Sequence, residues 1–226
     1  VSDPASREAA VIDPVLDYDW RSGRTGTSSA DQVLAHLSSA GMRLRWILET
    51  HAHADHLSCA PYLQSRAGGH IAIGTGIRQV QATFKRIFGL GDEFVPDGRQ
   101  FDRLLADGDT VALGTIEGQV IATPGHTNDS VSYLFGDALF VGDTIFMPDG
   151  GSARCDFPGG DAAELYRSVQ RLYALPETTR VFVCHDYSPG GRAPLCETTI
   201  GEQRRANIHL KSDTPEGDYV AMRRAR

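Results

Sequence analysis

Six consecutive residues carry three imidazoles and one carboxylate, in the order His51-Ala52-His53-Ala54-Asp55-His56. Imidazole is the commonest metal ligand in proteins, and a neighbouring carboxylate suits either iron or zinc. A polar loop that happens to be rich in histidine would have the same composition, but this spacing is typical of catalytic metal motifs. The segment therefore predicts a metal centre.

Three further candidate donors stand two or three residues beyond apolar segments of strand length. They are His126, Asp143 and His185. Side chains just past the end of a strand lie on loops, where active-site residues concentrate. A histidine in a turn, taken alone, is more often structural than a metal ligand. The order of these three after the histidine-rich segment favours a shared site.

The elements that must position these side chains follow from hydrophobic periodicity. In the first half we predict strands at 9–15, 43–49 and 70–73, helices at 30–40 (capped by Ser28 or Ser29), 57–66 and 77–88, and loops at 18–27 and 89–99. In the second half we predict strands at 110–113, 116–123, 131–135, 138–141 and 181–183, and helices at 161–175 and 197–210. Strands mixed with helices in both halves predict two sheets flanked by helices, an α/β sandwich.

Composition limits the classes of function. At 226 residues the chain is most economically a single domain, residues 1–226. The net charge of -7 argues against a nucleic-acid surface, and an anionic substrate would need local arginines. No stretch approaches the ~20 apolar residues of a membrane span, and no signal peptide is visible, so we expect a cytoplasmic protein without a membrane partner. The absence of a CxxC pair fits a reducing compartment, the cysteines being Cys59, Cys155, Cys184 and Cys196.

The histidine-rich segment, followed in order by the three later donors, resembles the metallo-β-lactamase superfamily over about residues 9–210. The resemblance implies a four-layer αβ/βα sandwich with metal bound at the edge between the two sheets. In the dinuclear form of the family, one residue bridges two metal ions and each ion has three further ligands. All of these positions are filled here: His51, His53 and His126 for one ion, Asp55, His56 and His185 for the other, and Asp143 as the bridge.

Within the superfamily the chain is similar to the persulfide dioxygenase branch, through residues 142–144, 153–157 and 185–187, and to its bacterial members through 189–192 and 197–204. The resemblance implies one Fe²⁺ per chain, held by two histidines and an aspartate with open positions for substrate and dioxygen. Glutathione persulfide and O₂ would give sulfite and glutathione. The iron ligands would be His51, His126 and Asp143, and His53, Asp55, His56 and His185 would hold ligands or substrate by hydrogen bonds.

For the carboxylates of such a substrate, the candidate residues are Arg154, Tyr187 and Arg192, since a guanidinium can bind a carboxylate through two hydrogen bonds. A solvated surface charge is an equally good interpretation of Arg192. Cys155 stands where many members of the branch carry Thr, and a small packed side chain fits better there than a redox-active thiol.

Hydrolysis remains the alternative: two Zn²⁺ would activate a hydroxide against a thioester, as in glyoxalase II. The ligand set does not separate the two activities. The 41 residues after His185 are fewer than the helical substrate-binding domain of glyoxalase II requires. Common β-lactamases have Cys where Asp143 stands, and flavodiiron proteins have Glu where His53 stands. These differences argue against both activities.

A non-catalytic binding module of this fold is expected to have lost one or more metal-ligating residues. None is lost here, which argues against this class. The family has a strand before residue 1, and its bacterial members run further past Arg226. We therefore expect the sequence to be trimmed at both ends. The sequence is also compatible with a homo-oligomer.

Overall fold

The structure, a computed structural model, describes residues 1–225. The strands of this part of the chain are β1 (Ser2–Asp3), β2 (Glu8–Ile12), β3 (Asp17–Asp19), β4 (Arg24–Gly26), β5 (Arg43–Leu48), β6 (His70–Gly74), β7 (Arg103–Leu105), β8 (Thr110–Leu113), β9 (Ile116–Ala122), β10 (Val131–Phe135), β11 (Ala138–Phe140), β12 (Arg180–Phe182) and β13 (Glu197–Thr199). Its α-helices are α1 (Ser28–Ser39), α2 (Ala60–Ala67), α3 (Ile77–Phe88), α4 (Ala162–Tyr173), α5 (Ile200–Ala206) and α6 (Glu216–Arg224).

The strands form two main sheets and a separate β3–β4 hairpin. The first sheet has the order β1-β2-β5-β6-β7, in which β2, β5, β6 and β7 run parallel. The second has the order β13-β12-β11-β10-β9-β8 and contains the predicted meander from β8 to β11. Since β9 and β11 both run antiparallel to β10, and β12 runs parallel to β11, the strands β9, β11 and β12 end at the same edge.

Alternating side chains of each strand build the core layers, because successive residues of a strand point to opposite faces. In β5, Leu48 belongs to a cluster between the two sheets, together with Val120 and Tyr133 of the second sheet. Its neighbour Ile47 belongs instead to a cluster with Leu37 of α1 and Leu63 of α2.

The outer face of the second sheet is covered by α4, α5 and α6. Val181 of β12 packs there with Leu165 of α4, Ile200 of α5 and Tyr219 of α6. The molecule is therefore a four-layer αβ/βα sandwich, as the sequence predicts. None of its helices within residues 1–225 is long and apolar enough to cross a bilayer.

Three local predictions are wrong. The loop predicted at 18–27 contains the β3–β4 hairpin, whose turn is closed by Asp19 accepting from the Arg21 amide and the Ser22 hydroxyl. The helix predicted at 197–210 begins with β13, because residues 197–199 pair with β12, and the helical part is only α5. The helix predicted from Leu57 starts at Ala60, after the bridge between Val15 and Ser58.

The remaining differences lie at the ends of elements or concern whole short elements. The predicted strand at 9–15 stops at Ile12, and α1 begins at Ser28 with Thr27 as its N-cap rather than a serine. The short strands β1 and β7 and the helix α6 were not predicted. A strand of two or three residues carries too few side chains for a period to be recognised.

Candidate metal centre

The candidate donors meet because the strands before them end at the same rim of the sandwich. His51 follows β5 of the first sheet, whereas His126, Asp143 and His185 follow β9, β11 and β12 of the second. A hydrogen bond of 2.8 Å from the Val131 amide to the Thr50 carbonyl ties the two sheets together beside the site. The sequence prediction that these residues follow strand ends agrees with the structure.

His51 is buried and its ring orientation is fixed by Thr50. The Thr50 hydroxyl donates to Asp13 Oδ2 at 2.8 Å, so its oxygen is left to accept from Nδ1 of His51 at 3.0 Å. The proton on Nδ1 leaves the lone pair of His51 on Nε2. Burial also lowers the pKa of His51, which favours the neutral form that a metal ligand must have.

His126 is fixed in the same way by a main-chain carbonyl. Its Nδ1 donates to the Arg154 carbonyl at 2.8 Å, and its Nε2 lies 3.7 Å from Oδ2 of Asp143. One possible ligand atom each from His51, His126 and Asp143 lies within 4.8 Å of the others. This is the set of two histidines and one carboxylate that the family resemblance assigns to iron.

Asp143 and His53 each present a buried polar atom without a hydrogen bond. These atoms are Oδ1 of Asp143 and Nδ1 of His53. A buried polar atom without a partner is costly and needs an explanation. A cation would satisfy Oδ1 of Asp143, and it would satisfy Nδ1 of His53 once that nitrogen has lost its proton. Burial raises the pKa of Asp143, since nothing in the protein compensates the desolvated carboxylate fully. The donor set therefore fits a bound metal ion.

A second group of donors lies beside the first. Possible ligand atoms of His53, Asp55 and His56 also lie within 4.8 Å of one another. His185 joins the two groups, since its Nε2 lies 3.1 Å from Asp55 and 3.4 Å from Asp143. The structure thus brings together all the residues that the family resemblance assigns to a dinuclear site.

Asp13 and Glu49 support the site, and the sequence analysis did not identify either. Nε2 of His53 lies 3.1 Å from Asp13 and 3.6 Å from Glu49. Burial works against protonation of His53, but the hydrogen bonds and negative charges of these carboxylates raise its pKa to about 10. Asp13 follows β2, which runs parallel to β5, but the strand predicted at 9–15 extends past it, and this hid its position at a strand end.

Gly142 allows the loop before Asp143 to lie against Thr50. Its φ is +51°, in the left-handed region that favours glycine, and a Cβ there would lie 2.4 Å from Oγ1 of Thr50. No side chain fits between the two loops without displacing the hydroxyl that orients His51. A glycine at this position is therefore required by the approach of the two sheets.

A cavity of about 430 Å³ opens beside the donors. Among the predicted substrate residues, Arg154 and Tyr187 line it, together with Phe146 and Phe157. The Arg154 guanidinium lies 4.7 Å from the centroid of the Phe157 ring and pairs with Asp156, while remaining largely exposed. The cavity thus offers a cationic group and aromatic walls next to the metal ligands.

Arg192, the third predicted substrate residue, is not among the residues that line this cavity. Its guanidinium lies between Asp149 and Asp186, donating to both carboxylates, and Asp186 also accepts from the Leu195 amide. These contacts order residues 186–195, and we assign Arg192 a structural role.

Cys155 packs against the core cluster of the second sheet, and burial raises its pKa to about 11, so the thiol stays protonated near neutral pH.

Comparison with known proteins gives a family and several relatives. The model of the metallo-beta-lactamase superfamily matches residues 6–185. A probable metallo-hydrolase of Burkholderia pseudomallei is 52% identical, covering 99% of this chain and 80% of that protein. Glyoxylase B2 of Dictyostelium discoideum is 45% identical, covering 100% of this chain and 78% of the relative. The chain spans about half the length of the beta-lactamase hydrolase-like proteins it also matches.

Similarity to persulfide dioxygenases is lower but extends over most of the chain. The human mitochondrial persulfide dioxygenase ETHE1 is 30% identical, covering 93% of this chain and 69% of that protein. The crystal structure of ETHE1 from Myxococcus xanthus superposes with a TM-score of 0.76 at 30% identity, covering 99% of this chain and 83% of the other.

Proposed function

This chain belongs to the metallo-β-lactamase superfamily, and we propose that within it the protein is an iron(II)-dependent persulfide dioxygenase that converts glutathione persulfide and O₂ to sulfite and glutathione. The observation that carries the proposal is the compact set of His51, His126 and Asp143. Two histidines and one carboxylate are typical of non-haem iron(II) oxygenases, because they leave coordination positions open. The similarity to persulfide dioxygenases supports the same assignment.

Iron bound by these three residues would supply the redox chemistry that makes dioxygen reactive toward sulfur. The outer sulfur of the persulfide gives its electrons to dioxygen, and the oxygens of sulfite come from O₂ and water. The inner sulfur leaves as the glutathione thiol when the sulfur–sulfur bond breaks. The protein must therefore hold the substrate at the metal, accept its carboxylates and keep bulk water away.

The residues of the cavity are suited to these tasks. The exposed guanidinium of Arg154 can bind a glutathione carboxylate, and its contact with the Phe157 ring restricts its orientation. Phe146 lies 5.4 Å from the Tyr187 ring, centroid to centroid, and this pair forms an aromatic wall of the cavity beside the ligands. Nε2 of His185, near both Asp55 and Asp143, is placed to hydrogen-bond the substrate.

The alternative is a dinuclear zinc hydrolase of thioesters, resembling glyoxalase II. The observation that favours it is the second donor group, in which Nδ1 of His53 has no hydrogen-bond partner. In the dinuclear arrangement this nitrogen would be a metal ligand, whereas the mononuclear iron site of His51, His126 and Asp143 does not use it. The names of two relatives, a probable metallo-hydrolase and a glyoxylase, point in the same direction.

Metal analysis of anaerobically purified protein, paired with activity on both substrates, separates the two proposals. One iron per chain, with oxygen uptake on glutathione persulfide and formation of sulfite, is expected for the dioxygenase. Two zinc ions per chain, with cleavage of a glutathione thioester and no oxygen uptake, would replace it by the hydrolase.

A further inference from the structure

The carbonyl of Arg154 controls which nitrogen of His126 can bind a metal ion. It accepts the hydrogen bond from Nδ1, so the proton stays on Nδ1 and the lone pair stays on Nε2, on the side of Asp143. The carbonyl lies within residues 153–156, which form no helix or strand. Its position must therefore be fixed by contacts from elsewhere in the protein.

Those contacts come from the C-terminal part of the chain and converge on Ser152. One guanidinium nitrogen of Arg223 donates to the Ser152 carbonyl at 2.7 Å and to its hydroxyl at 3.0 Å. The Tyr219 hydroxyl lies 2.8 Å from the Ser152 hydroxyl. The Ser152 amide donates to Nδ1 of His209 at 2.9 Å, and Arg223 contacts the same nitrogen. Every main-chain and side-chain polar group of Ser152 thus has a partner in this cluster.

The cluster flanks Arg154 on both sides and is buried at its centre. Ser152 is 3% exposed and Tyr219 is 1% exposed, so the contact between their hydroxyls is shielded from water, whereas Arg223 is half-buried. The side chain of Cys155, on the other side of Arg154, packs against the core cluster that contains Tyr219. Both Tyr219 and Arg223 lie on α6, beyond the region 6–185 that matches the superfamily model.

We propose that Tyr219 and Arg223 are positioning residues of the metal centre: by fixing Ser152, they hold the Arg154 carbonyl that keeps His126 in its metal-binding tautomer. The inference rests on the proposed use of His126 as a ligand, but not on the metal or the reaction. Loss of a group that hydrogen-bonds a ligating histidine typically weakens metal binding about 10–100-fold. Since these residues act through Ser152, we expect roughly tenfold for the double variant.

The test compares Tyr219→Phe, Arg223→Met and the double variant with two matched controls. Tyr166→Phe removes a tyrosine hydroxyl that donates to the Thr214 carbonyl at 2.9 Å beside the same core cluster. Arg224→Met removes the exposed arginine next to Arg223 on α6.

Three quantities are measured for each protein. Ring-nitrogen chemical shifts of the metal-free protein give the tautomer of His126, whose signals are identified by their loss in His126→Gln. Competition with a chelator gives the affinity for Zn²⁺. Thermal unfolding gives Tm, which separates a general loss of stability from an effect at the metal centre.

The expected result is a mixture of His126 tautomers and weaker Zn²⁺ binding in the Tyr219 and Arg223 variants, with both quantities unchanged in the controls. A lower Tm with the same tautomer and the same affinity would overturn the proposal. Equal effects of the controls would overturn it as well. If the double variant does not fold, the proposal is tested by the same measurements on Tyr219→Phe, which keeps the aromatic ring. Failure of His126 as a metal ligand would appear separately, as unchanged Zn²⁺ binding in His126→Gln.

Discussion

Nε2 of His53 lies 3.1 Å from a carboxylate oxygen of Asp13, a residue that follows the neighbouring parallel strand. The same carboxylate accepts from the amide and the hydroxyl of Thr50, at 2.6 and 2.8 Å, and from the Cys184 thiol at 3.2 Å. Asp13 therefore connects the histidine-rich loop of the first sheet with the His185 loop of the second. Burial acts to raise the pKa of Asp13, but the hydrogen bond and charge of His53, together with the Thr50 amide, outweigh burial and lower the pKa.

The first prediction concerns the pH dependence of stability in metal-free protein. The pKa of His53 is raised to about 10 in the folded state, above its ordinary value of about 6.5. Its ion pair with Asp13 therefore stabilises the fold fully below about pH 6.5, and this contribution is lost as the pH rises through about 10. The difference in unfolding free energy between wild type and Asp13→Asn should shrink over that interval, as measured by urea unfolding.

The control for this measurement is Asp137→Asn. Asp137 pairs with Arg180, whose charge does not change in this range, so its effect should be independent of pH. An Asp13→Asn effect that stays constant up to pH 10 would contradict the charged His53–Asp13 pair.

The second prediction concerns the cost of the buried Asp143 carboxylate. Burial raises its folded pKa, so above its ordinary pKa of about 3.9 the ionised group destabilises the metal-free protein. Asp143→Asn should therefore raise the Tm of the metal-free protein while weakening metal binding. Added metal should raise the Tm of wild type more than that of the variant, because binding to the folded state stabilises it. Thermal unfolding with and without metal checks both parts, and equal stabilisation of the two proteins would exclude Asp143 as a ligand.

The third prediction concerns the close approach of Gly142 to Thr50. Gly142→Ala should destabilise the protein by about 1–2 kcal/mol through its positive φ, and by about 1–3 kcal/mol more through the clash with Thr50. Gly136→Ala is the matched control, since Gly136 has φ +60° but nothing within 4 Å of the added Cβ. Denaturant unfolding measures both, and metal affinity should fall only for Gly142→Ala. Equal destabilisation by the two changes would show that the contact is unimportant.

The fourth prediction separates the two arginines that the sequence singled out. Arg154→Gln should raise KM for glutathione persulfide roughly tenfold with little change in Tm, because this guanidinium lines the cavity and is mostly exposed. Arg192→Gln should lower Tm and leave KM nearly unchanged, because it removes the contacts with Asp149 and Asp186. Steady-state kinetics and thermal unfolding of both variants are the measurements. A larger KM effect for Arg192→Gln would reverse the two roles.

The sequence predicted the layered fold, and the structure brings the candidate metal donors together, for a definite physical reason. The donors follow apolar strands, and strands that end at one edge bring their next residues together. The helix at 77–88 and the strands at 110–113 and 131–135 agree with the structure residue for residue, because their periodicity is clear.

Other features depend on contacts that no local pattern reveals. Asp13 contacts Thr50, His53 and Cys184, which are between 37 and 171 positions away along the chain. The helix prediction at 197–210 is wrong for a different reason. Thr199 caps α5 by accepting from the Glu202 amide, and this Thr-x-x-Glu signature could have placed the helix start correctly.

The two sheets divide the sequence at one point: the first ends with Leu105 and the second begins with Thr110. His51 belongs to the earlier half, and His126 and Asp143 belong to the later half. A cation bound by all three residues would link the two halves across the boundary between the sheets. Removal of the cation should therefore speed amide hydrogen exchange at this boundary, at Thr50 and Val131, more than in the helices on the outer faces of the sheets.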